Sequence, residues 1–174
     1  MEHKEEHLKR IFHVPDIYVG EIERVNMTYK EEIRDLFSVP DDYYLAHCIS
    51  ADFGMGKGIV VEFNRRFNLK NKLISKYGSY LTVWDDGFSE CIECVLEDKV
   101  FNLITKRNYW NKPTYNTLEN SLIAMKCLAG NLGITKIAMP LIGCGLDKLE
   151  WTKVSDVIKE VFEDMDIEIL VCKQ

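Results

Sequence analysis

Apolar residues in this chain gather in short continuous runs, separated by longer stretches in which they recur every three or four positions. Residues 43–49 (YYLAHCI) are almost wholly apolar, the length and pattern of a strand buried on both faces. Residues 100–105, 135–140 (TKIAMP) and 167–172 (IEILVC) read as further strands. Residues 80–84 and 91–96 add two candidates, with a hairpin turn at Asp86-Gly87. Residues 17–22 and 27–34 also read as strands. In the second, Tyr29 and Ile33 alternate with Lys30, Glu32 and Arg34, although Glu31 breaks the pattern. Helical spacing predicts a helix over 59–67, through Ile59, Phe63 and Phe67. A second covers 114–129, capped by Thr114, stopped by Gly133, with Leu118, Leu122, Met125 and Ala129 on one face. A third covers 151–164 and turns Val154, Val157, Ile158, Val161 and Phe162 inward. Residues 1–13 read as a polar, helix-compatible extension.

The late order strand, helix, strand, helix, strand implies parallel pairing, with helices on both faces of a sheet. The length of 174 residues suits one domain, and 47% apolar with 29% charged residues is a globular composition. The net charge of −6 argues against a sequence-blind nucleic-acid binder, which needs a basic surface. It leaves small anionic ligands open, because backbone N–H groups hold phosphates without side-chain charge. No apolar run approaches the roughly 20 residues of a membrane span. Residues 1–13 lack the apolar core of a secretory leader. The expected setting is intracellular, cytoplasmic or nuclear, and a monomer with no membrane partner. The six cysteines are expected as buried free thiols.

Two glycine-rich stretches, 50–58 (SADFGMGKG) and 142–145 (IGCG), each follow a buried strand. In open α/β sheets ligands bind outside the carboxyl ends of strands, and glycine lets backbone N–H groups approach them. A tight turn alone would also require such glycines. Neither stretch is a P-loop or a dinucleotide fingerprint, so a nucleotide-like ligand is expected without NTP hydrolysis or hydride transfer.

Residues 45–50 (LAHCIS) and 55–59 (MGKGI) resemble the first ligand loop of macrodomains, and 139–147 (MPLIGCGLD) resembles the second. Residues 103–106 (LITK) and 112–115 (KPTY) extend the likeness. Together, from Tyr29 to Gln174, they are similar to the terminal ADP-ribose glycohydrolase branch, which removes ADP-ribose from acidic side chains. The resemblance implies a three-layer α/β/α macrodomain with a central mixed sheet over residues 27–174, after an extension at 1–26. It implies ADP-ribose or an ADP-ribosylated macromolecule as partner, nucleic acid only as such a substrate, and no cofactor or metal.

Carried over residue by residue, the resemblance makes Lys106 the nucleophile and Asp147 the acid/base. Asp35 would accept a hydrogen bond from the adenine amino group, and Leu36 would meet the same ring through its backbone. Ser50, Gly56, Gly58 and Ile59 would line the distal ribose and diphosphate. Leu141, Ile142, Gly143, Cys144, Gly145 and Leu146 would wrap the diphosphate with N–H groups, and Gln174 would lie beside the adenine. Arg34 stands where the family usually has glycine. A lysine attacks only as the free amine, a form that desolvation favours.

Position alone leaves other readings open. Lys106 reads equally as a solvated strand-end lysine, Asp147 as a cap for the following helix or a partner of Lys148 or Lys153, and Asp35 as a turn residue. His47 reads as a core histidine, Cys144 as a small packing residue, and Cys91/Cys94 as a strand pair rather than a metal site. Trp84, Trp110 and Trp151 read as core or cleft-wall residues rather than a base-stacking platform. Related macrodomains imply two further functions: another leaving group (O-acetyl-ADP-ribose, ADP-ribose 1″-phosphate, ADP-ribosylated DNA), or a non-catalytic reader.

Overall fold

The apolar run at 43–49 becomes a central strand. The computed structural model describes residues 25–79, 81 and 92–174. Its strands are β1 (Thr28–Ile33), β2 (Tyr44–Ser50), β3 (Cys94–Glu97), β4 (Val100–Lys106), β5 (Lys136–Met139) and β6 (Glu168–Lys173). Its helices are α1 (Ile59–Phe67), α2 (Leu69–Tyr77), α3 (Tyr115–Leu132) and α4 (Trp151–Phe162), with a 3-10 turn at Leu36–Ser38. The expected structure in residues 1–13, 17–22, 80–84 (apart from Leu81) and 86–87, and Cys91, lies outside the described residues.

The six strands form one sheet in the order β1-β6-β5-β2-β4-β3. Only β3 runs antiparallel to its neighbour, so the sheet is mixed, as expected. From β4 through β5 to β6 the chain moves across the sheet in one direction. Crossovers of one hand therefore place α3 and α4 on one face, where they pack on each other. The path from β2 to β4 runs the other way, and α1 and α2 cover the opposite face. Along β2 this splits the side chains: Ala46 joins the α3/α4 core, while Leu45 and Ile49 join the α1/α2 core.

Helix α3 begins as its sequence predicts. Thr114 Oγ1 accepts the Thr117 N–H at 3.1 Å, and Thr117 Oγ1 accepts the Thr114 N–H at 2.9 Å, a reciprocal cap. Helix α2 escapes the periodicity because it carries just Leu69 and Leu73 as buried anchors. It starts at Asn68, whose left-handed backbone (φ 51°) also ends α1.

Three expectations change. Ile33 is 88% exposed, because β1 is an edge strand whose last four residues face solvent despite their alternation. Trp110 is 64% exposed, which removes the core reading and leaves the cleft-wall one, while Trp151 packs partly against the α3/α4 core as expected. Cys127 is an exposed thiol on α3; Cys94 and Cys172 are buried. Among the described residues no helix is long and apolar enough to cross a membrane.

Candidate active site

Each residue singled out for chemistry lies at or beyond the carboxyl end of a parallel strand. Lys106 ends β4, Ser50 ends β2, the second glycine loop follows β5, Asp35 follows β1 and Gln174 follows β6. Neighbouring strands are about 4.8 Å apart, so the four steps from β1 to β4 spread these residues over roughly 19 Å of one sheet edge. Such an edge is where open α/β sheets hold ligands.

Lys106 and Asp147 meet there. Lys106 Nζ donates to Asp147 Oδ1 at 2.8 Å, with side chains 15% and 16% exposed. This removes the readings of Lys106 as a solvated lysine and of Asp147 as a helix cap. The N-cap of α4 is Glu150, and Lys153 pairs with Glu150 rather than Asp147. Beneath the pair lies Cys48, whose thiol burial pushes up to about 12, with the Asp147 charge adding to the shift. It stays protonated at neutral pH and does not compete as a nucleophile. Burial likewise raises the Cys144 thiol, which fits the expected packing role.

The first glycine loop is tied down by Asp52. Its Oδ1 accepts from Ser50 Oγ at 2.5 Å and the Gly54 N–H at 3.0 Å, and its Oδ2 accepts the Tyr109 N–H at 3.1 Å. Burial opposes ionisation here, but these donors hold the carboxyl below its ordinary range. Ser50, buried and facing Asp52, therefore shapes the loop rather than presenting a free hydroxyl. Gly56 has open space around it, and Gly58 takes φ +78° directly before α1. No side chain caps α1, so its first N–H groups face the loop as an anion-favouring helix start, beside half-exposed Ile59.

The second loop meets the first where Leu146 Cδ1 lies 3.5 Å from a Cβ built at Gly58. Here the expectation of a full ring of N–H donors is corrected. The Ile142 N–H bonds Pro140 O at 2.8 Å and the Cys144 N–H bonds Leu141 O at 3.2 Å, which forms the turn itself. The Ile142 side chain is buried in the core. Gly145 and Leu146 keep amides with no backbone acceptor among the described residues. Gly143 takes φ +72°, and its carbonyl accepts the Leu149 N–H at 2.8 Å.

At the other end of the edge, Asp35 caps the 3-10 turn, its Oδ1 accepting the Phe37 N–H at 3.0 Å. Arg34 clamps this turn from outside through Ser38, with Nε to Oγ and Nη2 to O both at 3.2 Å. The Leu36 side chain is 2% exposed in the core, so only its backbone can meet a ligand. Gln174 follows Lys173, whose carbonyl accepts the Arg34 N–H at 2.9 Å, which sets it beside Asp35. A cavity of about 520 Å³, lined by Phe37, Tyr43, Arg66 and Lys99, reaches from the 3-10 turn toward the amino ends of β2 and β4, away from Lys106.

Two residues that hold the candidate site's loops escape sequence reading. Asp52 sits two positions after Ser50 and before Gly54, a turn signature that marks it in retrospect. Lys112 belongs to a matching block without an assigned role; its Nζ donates to Leu146 O at 2.8 Å and so holds the loop that carries Asp147. Among the described residues no group of three His, Cys, Asp or Glu could hold a metal ion.

No family model matches the chain. Over 140 residues it is 43% identical to a human protein named ADP-ribose glycohydrolase OARD1, covering 79% of this chain and 86% of that one. The chain belongs to the macrodomain family. Within it, this macrodomain falls in the terminal ADP-ribose glycohydrolase branch. The macrodomain of Thermus aquaticus DarG shares its fold, with a TM-score of 0.67 and 22% identity over 86% of this chain and 100% of that one. A Thermus aquaticus protein named DNA ADP-ribosyl glycohydrolase is 25% identical over 120 residues, 64% of this macrodomain and 32% of that protein.

Proposed function

We propose that this macrodomain is an ADP-ribosyl hydrolase that frees glutamate or aspartate side chains, with Lys106 as nucleophile and Asp147 as acid/base. The observation that carries this reading is the 2.8 Å contact between the two side chains at the mouth of the second glycine loop. A protein that only binds ADP-ribose needs no such pair. The human relative's name, an ADP-ribose glycohydrolase, supports the same class.

The scissile bond joins C1″ of the distal ribose to a carboxylate oxygen. The Lys106 proton passes to Asp147, and the free amine attacks C1″. The C1″–O bond breaks, and its electron pair leaves with the carboxylate. Asp147 gives the proton it took to the departing carboxylate and, ionised again, takes one from the water that adds at C1″ and releases the amine; that proton returns to Lys106. The net reaction consumes one water and yields ADP-ribose and the free acid. In this reading Asp35, Leu36 and Gln174 hold the adenine end, and the Gly145 and Leu146 amides with the α1 start hold the diphosphate. The protein acts as an intracellular monomer.

The test is ADP-ribose release from a glutamate-ADP-ribosylated substrate by wild type, Lys106→Ala and Asp147→Ala. Release by wild type and loss in both variants is expected. Binding of ADP-ribose by calorimetry without release would instead make the protein a reader. The Thermus aquaticus relative, named for DNA, favours a second reading in which the leaving group is a modified nucleobase.

A further inference from the structure

The turn that carries Asp147 is closed on itself. The Lys148 N–H donates to Gly145 O at 3.2 Å, which makes Asp147 the third residue of a tight turn. Lys148 then takes φ 60°, and the Leu149 N–H returns to Gly143 O at 2.8 Å. Both bonds lie within residues 143–149. They fix the shape of the turn and leave open where it stands relative to Lys106.

Two side chains from elsewhere set that. Lys112 Nζ holds Leu146 O at 2.8 Å, just before Asp147. Tyr115 Oη accepts the Glu150 N–H at 3.0 Å, just after it. Glu150 is the N-cap of α4 and makes no side-chain cap bond, so the hold on this helix start comes from Tyr115. The Tyr115 ring adds a second contact with α4, its centroid 5.6 Å from Lys153 Nζ.

Both grips come from residues 112–115 (KPTY), in the connection from β4 to α3. This block is itself anchored: Pro113 is buried, and Thr114 closes the reciprocal cap that starts α3. One connection therefore carries Lys106 at its start and both holds on the Asp147 loop at its end. A packing role alone would need the Tyr115 ring and not its hydroxyl, yet the hydroxyl is directed at the backbone that follows Asp147.

Resting on the reading of Lys106 and Asp147 as the reacting pair, we propose that Tyr115 is a positioning residue for that pair. Its hydroxyl fixes the far end of the Asp147 loop, Lys112 fixes the near end, and the two act as one brace. The Gly145 and Leu146 amides lie on the Lys112 side, so Tyr115 acts on catalysis and hardly on ligand affinity.

The test compares wild type, Tyr115→Phe, Lys112→Met and the double variant on a glutamate-ADP-ribosylated peptide. Tyr115→Phe keeps the ring and deletes the hydroxyl. It is expected to lower kcat about threefold to tenfold, the range one hydrogen bond supports, with KM nearly unchanged. Calorimetry with ADP-ribose should give the wild-type stoichiometry and affinity, which shows that the loss is not a smaller folded fraction. The double variant should fall well short of the product of the two single losses, because a loop released at one end gains little freedom from release at the other. Hydrogen exchange, read by mass spectrometry without ligand, should be faster over residues 141–150 in Tyr115→Phe. Wild-type kcat in Tyr115→Phe, a loss carried by KM alone, multiplicative losses in the double variant, or unchanged exchange would each overturn the brace. If wild type releases no ADP-ribose, the Lys106 reading fails, and the exchange measurement alone still decides whether Tyr115 holds the loop.

Discussion

Lys106 Nζ lies 2.8 Å from Asp147 Oδ1 across 41 positions of sequence. The sheet order produces this contact, because β4 and β5 flank β2 and their carboxyl ends open onto the same space. The pair is shielded but not sealed, so proton exchange with a bound water is open to it.

A covalent route through Lys106 makes a chemical prediction beyond loss of activity. Once the ribose ring of the adduct opens, C1″ and Lys106 form a Schiff base, and borohydride added during turnover should reduce that C=N bond and leave a stable mass increment on the peptide containing Lys106. In Asp147→Asn, which removes both the acceptor of the Lys106 proton and the activation of water, turnover should fall by roughly 10²–10⁴. Mass spectrometry that finds no Lys106 adduct in either protein would exclude the lysine as nucleophile.

Lys112 acts at one remove. Its ammonium holds the Leu146 carbonyl at 2.8 Å, one residue before Asp147. Lys112→Met keeps the aliphatic stem and deletes this bond. The second loop should then hold Asp147 less closely, lowering kcat about tenfold and raising KM for the ADP-ribose moiety. Steady-state kinetics identical to wild type would show that the loop holds its shape without Lys112.

The parts of this macrodomain that the sequence makes legible are those whose signal is local. Continuous apolar runs mark β2, β4, β5 and β6 because both sheet faces are covered, and Thr114 marks the start of α3. Ile33 misleads because alternation reports a pleat and cannot report that β1 is an edge. Helix α2 stays hidden because two buried leucines make too short a stripe. At the site, the glycine loops announce themselves, but the meeting of Lys106 with Asp147 is a tertiary fact that only the family resemblance anticipates. Which amides of the second loop remain available depends on the turn bonds from Ile142 and Cys144, which composition does not encode.

Gly54 tests how closely the first loop and the Tyr109 segment are packed. A methyl group there would sit 2.7 Å from Tyr109 Cβ, a rigid atom that cannot swing aside. Gly54→Ala should therefore separate the segments, stretch the Asp52 bonds and cost about 1–3 kcal/mol of stability. Gly56→Ala, with nothing within 4 Å, is the control and should change stability far less. Urea unfolding of the two variants measures the difference, and equal midpoints would contradict the close approach.

Acid should destabilise the fold through a buried histidine. His47 is fully buried in β2, stacked 4.0 Å from the Phe63 ring, with Nε2 2.6 Å from Asn102 Oδ1. The Asn102 amide donates to the Val95 and Val100 carbonyls, so its Oδ1 faces the ring and the imidazole N–H sits on Nε2. Among the described residues its Nδ1 has no partner. Burial, opposed by the Asn102 bond, lowers the pKa from 6.5 to about 4. Between those values the unfolded chain binds a proton that the folded chain refuses, so stability falls as pH drops through that window. The loss is on the order of 3 kcal/mol, and it levels off below the folded value. The depressed Asp52 carboxyl adds its own loss at lower pH, as pH falls through its folded pKa. His47→Leu should start less stable, because Asn102 Oδ1 loses its donor, yet show a flatter profile from pH 6.5 to 4. Urea midpoints measured across that range in both proteins decide it; parallel curves would assign the acid sensitivity to other groups.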